Sequence, residues 1–554
     1  MSQPVPAPAT EVVPYPAAFA ERYRAEGLWS DDTIPAALRR TAERDPDALA
    51  LATPTARWTY GELVGRSENV AAGLLAAGLR PGDVILLQIT NTEHAVAAWY
   101  GILRAGLLPV CTLAIHRRHE IGQIATLTGA VAHLVQADLP KFDLVEFAGE
   151  IAAGMPQIAT LLTIGADAGS DLLRIEDLEE RRPTAEERTR LDEIEAATDL
   201  TAPAVLQLSG GTTGTPKVIP RLHPEYWYNG RATASIWGLT ASDRLAFGLP
   251  IVHNAGIANA LFAAHAVGAA ILLATPAADS LLPLMSAERA TWLMSPPGVM
   301  RGYLADDGFD AAFAAVRTSV LTAAVVHRPL FDELEQRGVH VTQAFGMTEG
   351  LFLFTRPDAP AEVRAGSVGT PISPCDEVRL LEPGTERDVA PGESGELCVR
   401  GPYTIRGYLT EPERNREAFT SDGFYRSGDL ARRIEIAGQQ TYILSGRTKD
   451  LINRGGEKIN AEEMESLLVR HPSVGEVAFV AMPDPRLGER ACAFVAVRDG
   501  ATAPTLRDLC DFLDAEGVAK FKWPERIEIV SALPRTTIGK VQKRVLRERL
   551  LDAS

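Results

Sequence analysis

Basic residues are in short supply: 55 Lys and Arg stand against 72 Asp and Glu, a formal charge of −17. A surface that negative repels phosphate backbones and anionic lipid, which speaks against nucleic-acid and membrane partners. Cysteine is scarce as well. The five present (Cys111, Cys375, Cys398, Cys492 and Cys510) are scattered and form no CxxC pair. A disulfide framework or zinc ribbon is therefore not expected; core thiols in a reducing compartment are. Long apolar runs are missing too, since segments such as Ala264 to Ala274 fall far short of a membrane span. The first eighteen residues carry no basic stretch leading into an apolar one, and read as a loose Pro/Ala-rich tail. The expectation is a soluble cytoplasmic protein.

What is present is length: 554 residues exceed one hydrophobic core and suggest about three or four domain-sized pieces. Glycine and proline punctuate the chain with no fixed repeat. A helix is expected over Phe19 to Gly27, a buried strand over Val84 to Ile89, a helix over Ala95 to Ala105, and a strand over Val110 to Leu113. Further strands are expected at Ala204–Leu208, Ala270–Ala274, Ser319–Ala324 and Val341–Phe345. Such alternation predicts covered, mainly parallel sheets. From Gly366 to Arg433 the texture turns to β-branched runs broken by Gly and Pro, as in Glu377–Leu381 and Gly395–Arg400, which predicts an antiparallel, barrel-like subdomain. After Arg447 a smaller α+β piece is expected, with a helix over Ala461 to Arg470 and strands over Val477–Ala481 and Ala491–Val497. The charged runs Glu179–Arg182 and Glu186–Arg190 read as a solvated helix face, and His116-x-x-His119 as a basic surface patch beside Arg117 and Arg118.

The sharpest local signal is Leu208-Ser-Gly-Gly-Thr-Thr-Gly-Thr-Pro-Lys-Val218. Gly210, Gly211 and Gly214 let the backbone turn tightly and aim N–H groups at one anion. Ser209, Thr212, Thr213 and Thr215 add hydroxyl donors, and Lys217 a positive charge. The loop suits a triphosphate or its pyrophosphate leaving group. It is not a Walker A motif, because Pro216 and Val218 flank the lysine.

With this loop the chain resembles the adenylate-forming superfamily of acyl-CoA synthetases, luciferases and adenylation domains. Phe345-Gly-Met-Thr-Glu-Gly350 resembles its adenine- and magnesium-binding motif and Tyr425-Arg-Ser-Gly-Asp-Leu430 its ribose motif. Gly446-Arg-Thr-Lys-Asp450 resembles the interdomain hinge, and Pro534-Arg-Thr-Thr-Ile-Gly-Lys540 the loop with the catalytic lysine. Tyr15 to Arg24 with Trp29, Pro250-Ile-Val-His-Asn254 and Asn453 to Ile459 are similar to stand-alone aryl-acid AMP ligases of the 2,3-dihydroxybenzoate and salicylate type.

The resemblance implies a core over residues 1–446 that binds ATP and acid, a hinge at 447–449 and a mobile small domain over 450–554. It implies ATP and Mg²⁺ as cofactors. Glu349 would hold the ion, with Thr348 nearby; Phe345, Gly346 and Met347 lie at adenine; Asp429 accepts the ribose hydroxyls, assisted by Arg447. Lys540 would contact the carboxylate and α-phosphate during adenylation, and Lys449 would be the hinge residue, followed by the permissive Gly455-Gly456. The acceptor would be a thiol: the phosphopantetheine of an aryl carrier protein in siderophore or other secondary metabolism, or CoA.

His253 and Asn254 match the pair that meets the acid, the asparagine bonding a group ortho to the carboxylate. Departures follow. Asn259 stands where catechol and salicylate enzymes carry Ser or Cys, Ala344 opens space before Phe345, and Ala323-Ala324-Val325 fills it on another wall. An extra amide favours a polar ring substituent, because leaving it unpaired costs about 1–3 kcal/mol. An amino- or hydroxybenzoate, of anthranilate type by preference, is expected over plain 2,3-dihydroxybenzoate. The rivals are an aryl-CoA ligase and a non-catalytic binding protein. Intact Lys217, Glu349, Asp429 and Lys540 argue against the latter.

Overall fold

The computed structural model describes residues 12–140, 142–165, 172–209, 217–324, 326–454, 457–484, 487–516, 518, 520–535 and 540–552. Two compact units emerge: Met1–Ala359 with Pro371–Glu377 and Arg400–Tyr425, and Pro360–Thr370 with Val378–Val399 and Arg426–Ser554.

The first unit holds two sheets whose apolar strands are covered by helices. In one, Val341–Gly346, Thr318–Thr322, Trp292–Ser295, Arg244–Phe247, Ala270–Leu273 and Leu49–Ala52 run parallel in that order. In the other the order is Leu173–Arg174, Thr160–Ile164, Ala132–Gln136, Val84–Gln88, Leu108–Val110, Pro203–Ser209 and Lys217–Leu222, and only the last pair is antiparallel. Strands of this kind are buried on both faces, hence the unbroken apolar run of Val84-Ile-Leu-Leu87. Between the sheets the helices Tyr60–Ala76, Glu93–Arg104 and His223–Trp237 bury an aromatic core around Trp99, Tyr100 and Phe262. The first starts where Thr59 accepts from the Glu62 N–H and Glu62 reaches back to the Thr59 N–H.

The second unit has two sheets. Glu377–Leu381, Ser394–Arg400, Tyr425–Ile436 and Gln439–Arg447 form the four-stranded one, whose end residues Glu377, Arg400 and Tyr425 belong to the first unit. The other is built on the hairpin Val474–Asp484 and Gly488–Val497. Alternation sorts its side chains. Val477, Phe479 and Ala481 meet the helices Ala461–Leu468 and Leu506–Ala515, whereas Ala478 and Val480 meet Leu546 and Leu550 of the helix Lys543–Asp552.

Four local expectations need correction. The strand expected at Val110–Leu113 is Leu108–Val110; past it the Thr112 hydroxyl turns back onto the Leu87 carbonyl. The strand expected to reach Ala324 ends at Thr322, where Ala323 adopts a left-handed φ of 69°. The N-terminal segment is docked from Val13 onward: Val13 packs on Gly407, and Tyr15 meets Trp29 edge-on and donates to the Thr404 carbonyl at 2.5 Å. Glu179 is buried rather than solvated, because Arg66 and His94 from distant helices bond its carboxylate at 3.2 and 2.9 Å. All five cysteines are free thiols, and all but Cys510 are buried. Among the described residues no helix is long and apolar enough to cross a membrane.

Candidate active site

Ser209 and Lys217 face each other at the ends of two antiparallel strands. The residues that join them, including Gly210, Gly211, Thr212, Thr213 and Gly214, lie outside the described residues, as does Val325. Lys217 Nζ donates to the Tyr408 hydroxyl at 3.2 Å and stands 4.7 Å from its ring centre. Tyr408 in turn donates to Glu349 Oε1 at 2.9 Å, and the Tyr425 hydroxyl stands 2.9 Å from that of Tyr408. Burial first, then the Glu349 charge, raises the pKa of both phenols, so both remain protonated donors. A lone carboxylate held by neutral donors beside a lysine suits Mg²⁺ that arrives on nucleotide phosphates, since that ion is commonly held by one or two carboxylates plus phosphate oxygens. Among the described residues no group of three or more His, Cys, Asp or Glu offers a self-contained metal cage.

The loop carrying Glu349 follows the strand Val341–Gly346, so Phe345 and Gly346 sit at its end with Met347 and Thr348 just beyond. Gly350 closes the loop at φ +93°, and a Cβ there would stand 2.0 Å from the Tyr403 carbonyl oxygen. Gly350→Ala is therefore expected to cost about 3 kcal/mol through strain and forced backbone movement, read as a lowered thermal midpoint. An unchanged midpoint would mean the loop has another seat.

Next to that loop lies a fully buried polar knot. Arg221 has no exposure: Nε and Nη2 bind Glu225 at 2.9 and 2.7 Å, Nη1 reaches Asn254 Oδ1 at 3.1 Å and the Thr348 carbonyl at 3.2 Å, and Nη2 the Tyr403 carbonyl at 3.3 Å. Burial works against the guanidinium charge, but Glu225 more than restores it and the pKa is raised. Asn254, also buried, accepts from Tyr226 as well, at 2.9 Å. His253 is half-buried in the turn before the π-helical segment Ala255–Leu261, its Nδ1 accepting from the Ala255 N–H. Asn259, on that segment, is buried and takes a bond from Thr233 at 3.0 Å, while its Nδ2 finds no partner among the described residues. It lines a small cavity with Trp237, Trp292, Met294 and Val320. Ala344 is buried on the strand Val341–Gly346.

The second unit assembles its own set. Asp429 and Arg447 are register partners on adjacent antiparallel strands and pair Oδ1 to Nε at 2.7 Å. The Lys540 ammonium, although its side chain is exposed, is pulled below its ordinary pKa by desolvation first and by Arg447 next, with Asp429 acting the other way. Lys449 lies in a 3₁₀ turn, Thr448–Asp450; its side chain, and Gly455-Gly456, are outside the described residues.

The profile of the AMP-binding enzyme matches residues 38–409, and that of the AMP-binding enzyme C-terminal domain matches 463–540. The chain belongs to the AMP-binding enzyme family. Relatives include a salicylyl-CoA synthase / salicylate adenylyltransferase of a Streptomyces species, 39% identical over 97% of each chain. The 2,3-dihydroxybenzoate-AMP ligase of Bacillus subtilis strain 168 is 36% identical over 97% of each. The apo structure of Mycobacterium smegmatis MbtA aligns with a TM-score of 0.73 at 35% identity, over 97% of this chain and 98% of that one. The protein is accordingly a ligase of the ATP-dependent adenylate-forming family, which makes an acyl-adenylate and then a thioester, on the adenylate-forming fold.

Within this family member the first unit gathers Lys217, Glu349, Thr348 and Asn254, and the second gathers Asp429, Arg447 and Lys540. Sequence reasoning missed Tyr408, Arg221 and Tyr226, and placed Tyr425 in the ribose motif without its place beside Tyr408. Arg221 left a readable trace: an arginine inside the apolar strand Lys217–Leu222, with Glu225 four residues on, is the pattern of a buried ion pair.

Proposed function

We propose that the protein activates a substituted aryl acid with ATP, releasing pyrophosphate, and passes the aryl group to the phosphopantetheine thiol of a carrier protein in cytoplasmic secondary metabolism. The observation that carries this reading is Asn254. A buried amide stands against the Met347 carbonyl and shares the Arg221 guanidinium with the Thr348 carbonyl, beside the loop that bears Glu349, so a recognition group for an acid adjoins a carboxylate suited to Mg²⁺–phosphate. Lys217 and the loop before it would take the phosphates, Phe345 and Gly346 the adenine, Asp429 and Arg447 the ribose. Glu349 would bind the Mg²⁺, whose contribution is to neutralise phosphate charge. Lys540 would stabilise the charge that gathers as the carboxylate attacks the α-phosphate, and Lys449 would be the hinge between half-reactions. His253, Asn254, Asn259 and Ala344 would form the acid pocket, and the Asn259 Nδ2, without a partner among the described residues, favours a ring with a second polar group.

Free CoA is the second reading, favoured by the 39% identity to a salicylyl-CoA synthase. ATP–pyrophosphate exchange against substituted benzoates, fatty acids and amino acids tests the first half-reaction. Exchange confined to a few aryl acids is expected; exchange with fatty or amino acids alone overturns the reading. Thioester formation on a holo carrier protein, compared with CoA, then decides the acceptor.

A further inference from the structure

The knot around Asn254 carries more than a place for the acid, because its hydrogen bonds have a fixed direction. An asparagine amide can ordinarily turn over and offer either its oxygen or its NH₂. Here each neighbour removes that choice. Gln207 Nε2 donates to the Val252 carbonyl at 3.2 Å, and that partner can only accept, so the same nitrogen donates to the Tyr226 hydroxyl at 2.9 Å. The Tyr226 hydroxyl, having accepted, sends its single proton to Asn254 at 2.9 Å. Arg221 has only protons to give. Its five N–H groups are committed to two Glu225 oxygens, the Thr348 and Tyr403 carbonyls and Asn254.

Two independent donors therefore converge on one atom of Asn254, which must be the oxygen. Turning the amide over would set an NH₂ against both donors among side chains with no more than 2% exposure, where an unpaired donor is most costly. The acceptor of Asn254 is thus saturated. Among the described residues its Nδ2 meets the Met347 carbonyl alone, at 3.5 Å, the outer limit of a hydrogen bond.

We propose that Arg221 and Tyr226 are positioning residues that lock the Asn254 amide with its NH₂ toward the acid, so the site selects acids whose ortho group accepts a hydrogen bond and rejects those whose ortho group only donates. This rests on the reading that Asn254 faces the acid. A phenolic oxygen or a ring nitrogen beside the carboxylate meets the demand. The amino group of a 2-aminobenzoate does not, since its lone pair is delocalised into the ring and its N–H groups confront another donor. The anthranilate-type preference drawn from the Asn259 substitution gives way on this point, while Asn259 still asks for a second polar group elsewhere on the ring. Arg221 also bonds the Thr348 carbonyl, so the acid's anchor and the loop bearing Glu349 hang on one guanidinium.

The test is ATP–pyrophosphate exchange with 2-hydroxybenzoate, picolinate and 2-aminobenzoate, on wild type, Tyr226→Phe, Arg221→Lys and Asn254→Ala. Tyr226→Phe loses only the hydroxyl, so folding is expected to survive. Wild type should favour the two acceptors over 2-aminobenzoate by about 100-fold in kcat/KM. Tyr226→Phe should shrink that ratio about tenfold or more by leaving Arg221 as the single donor that holds the amide oxygen, with Arg221→Lys moving it the same way. A uniform fall for all three acids with the ratio kept is what a merely structural role gives, and overturns the lock. So does a wild type indifferent to the ortho group. If Asn254→Ala destroys the discrimination while the Tyr226 and Arg221 variants keep it, the lock is wrong and the acid site stands. If Asn254→Ala leaves every KM and the ratio unchanged, the acid does not meet Asn254 and both readings fall.

Discussion

Lys540→Ala is expected to lower the rate of acid-dependent ATP–pyrophosphate exchange by about 10²- to 10³-fold, with KM for the acid changed far less. A cation fixed where charge develops acts on the transition state more than on the bound substrates, so its loss falls on kcat. The position of Lys540 supports that role: its ammonium stands in the field of both members of the Asp429–Arg447 pair, the proposed ribose contact, within one unit. The pKa direction adds a second readout. Desolvation and Arg447 pull the ammonium below the ordinary lysine value, so its charge is present at low pH and lost as pH rises through that lowered value. The basic limb of the exchange profile should lie below that of a free lysine, and in Lys540→Arg it should recede beyond the working range. Transfer from a supplied acyl-adenylate to the thiol should survive in Lys540→Ala. Exchange within a few-fold of wild type would remove Lys540 from the chemistry.

The parts of this enzyme legible in its sequence are those written locally. The strand Glu377–Leu381 and the helix beginning at Ala461 were readable because their signals, a β-branched run and an acidic first turn, lie within a few residues. Glu349, Asp429 and Lys540 stand out as members of ordered motifs that resemble the family's. What could not be read is whatever depends on residues far apart in the chain. Glu179 sits in a charged run that looks solvated, yet Arg66 and His94, 113 and 85 positions away, close over it. Tyr408 lies 59 residues beyond Glu349 and 191 beyond Lys217, in a stretch with no motif of its own.

The same reason hid the direction of the Asn254 amide. Its residue type indicates a donor and an acceptor, and the sequence stops there. Which of the two remains for a ligand is settled by Gln207, Val252, Tyr226 and Arg221, contributed by two strands, a helix and a loop. Substitutions read one at a time, such as Asn259 or Ala344, describe the volume and polarity of a pocket and not the orientation of its hydrogen bonds.

Asp376→Asn is expected to stabilise the protein above neutral pH and to do little below about pH 4. The Asp376 Oδ2 accepts from the Tyr403 hydroxyl at 2.5 Å and from the Ser373 N–H at 3.2 Å, while Oδ1 is shut off from solvent with no partner among the described residues. Gly401 makes room for that oxygen: a Cβ there would stand 2.2 Å from it. Burial outweighs both bonds and raises the carboxyl pKa to about 7. In the unfolded chain an aspartate titrates near 4, so the folded state keeps a proton between these values that the unfolded state gives up. The stability this contributes is complete below about pH 4 and is lost as pH rises through about 7. By pH 8.5 the charged form costs the fold about 4 kcal/mol, three pKa units at about 1.4 kcal/mol each. An amide of the same shape keeps the Tyr403 bond and cannot ionise. Thermal midpoints from pH 5 to 8.5 should therefore diverge upward in the variant, and a gap independent of pH would place the titration elsewhere. The Tyr403 that bonds Asp376 also gives its carbonyl to Arg221, so the proton that steadies this corner of the core lies one residue from the guanidinium that orients Asn254.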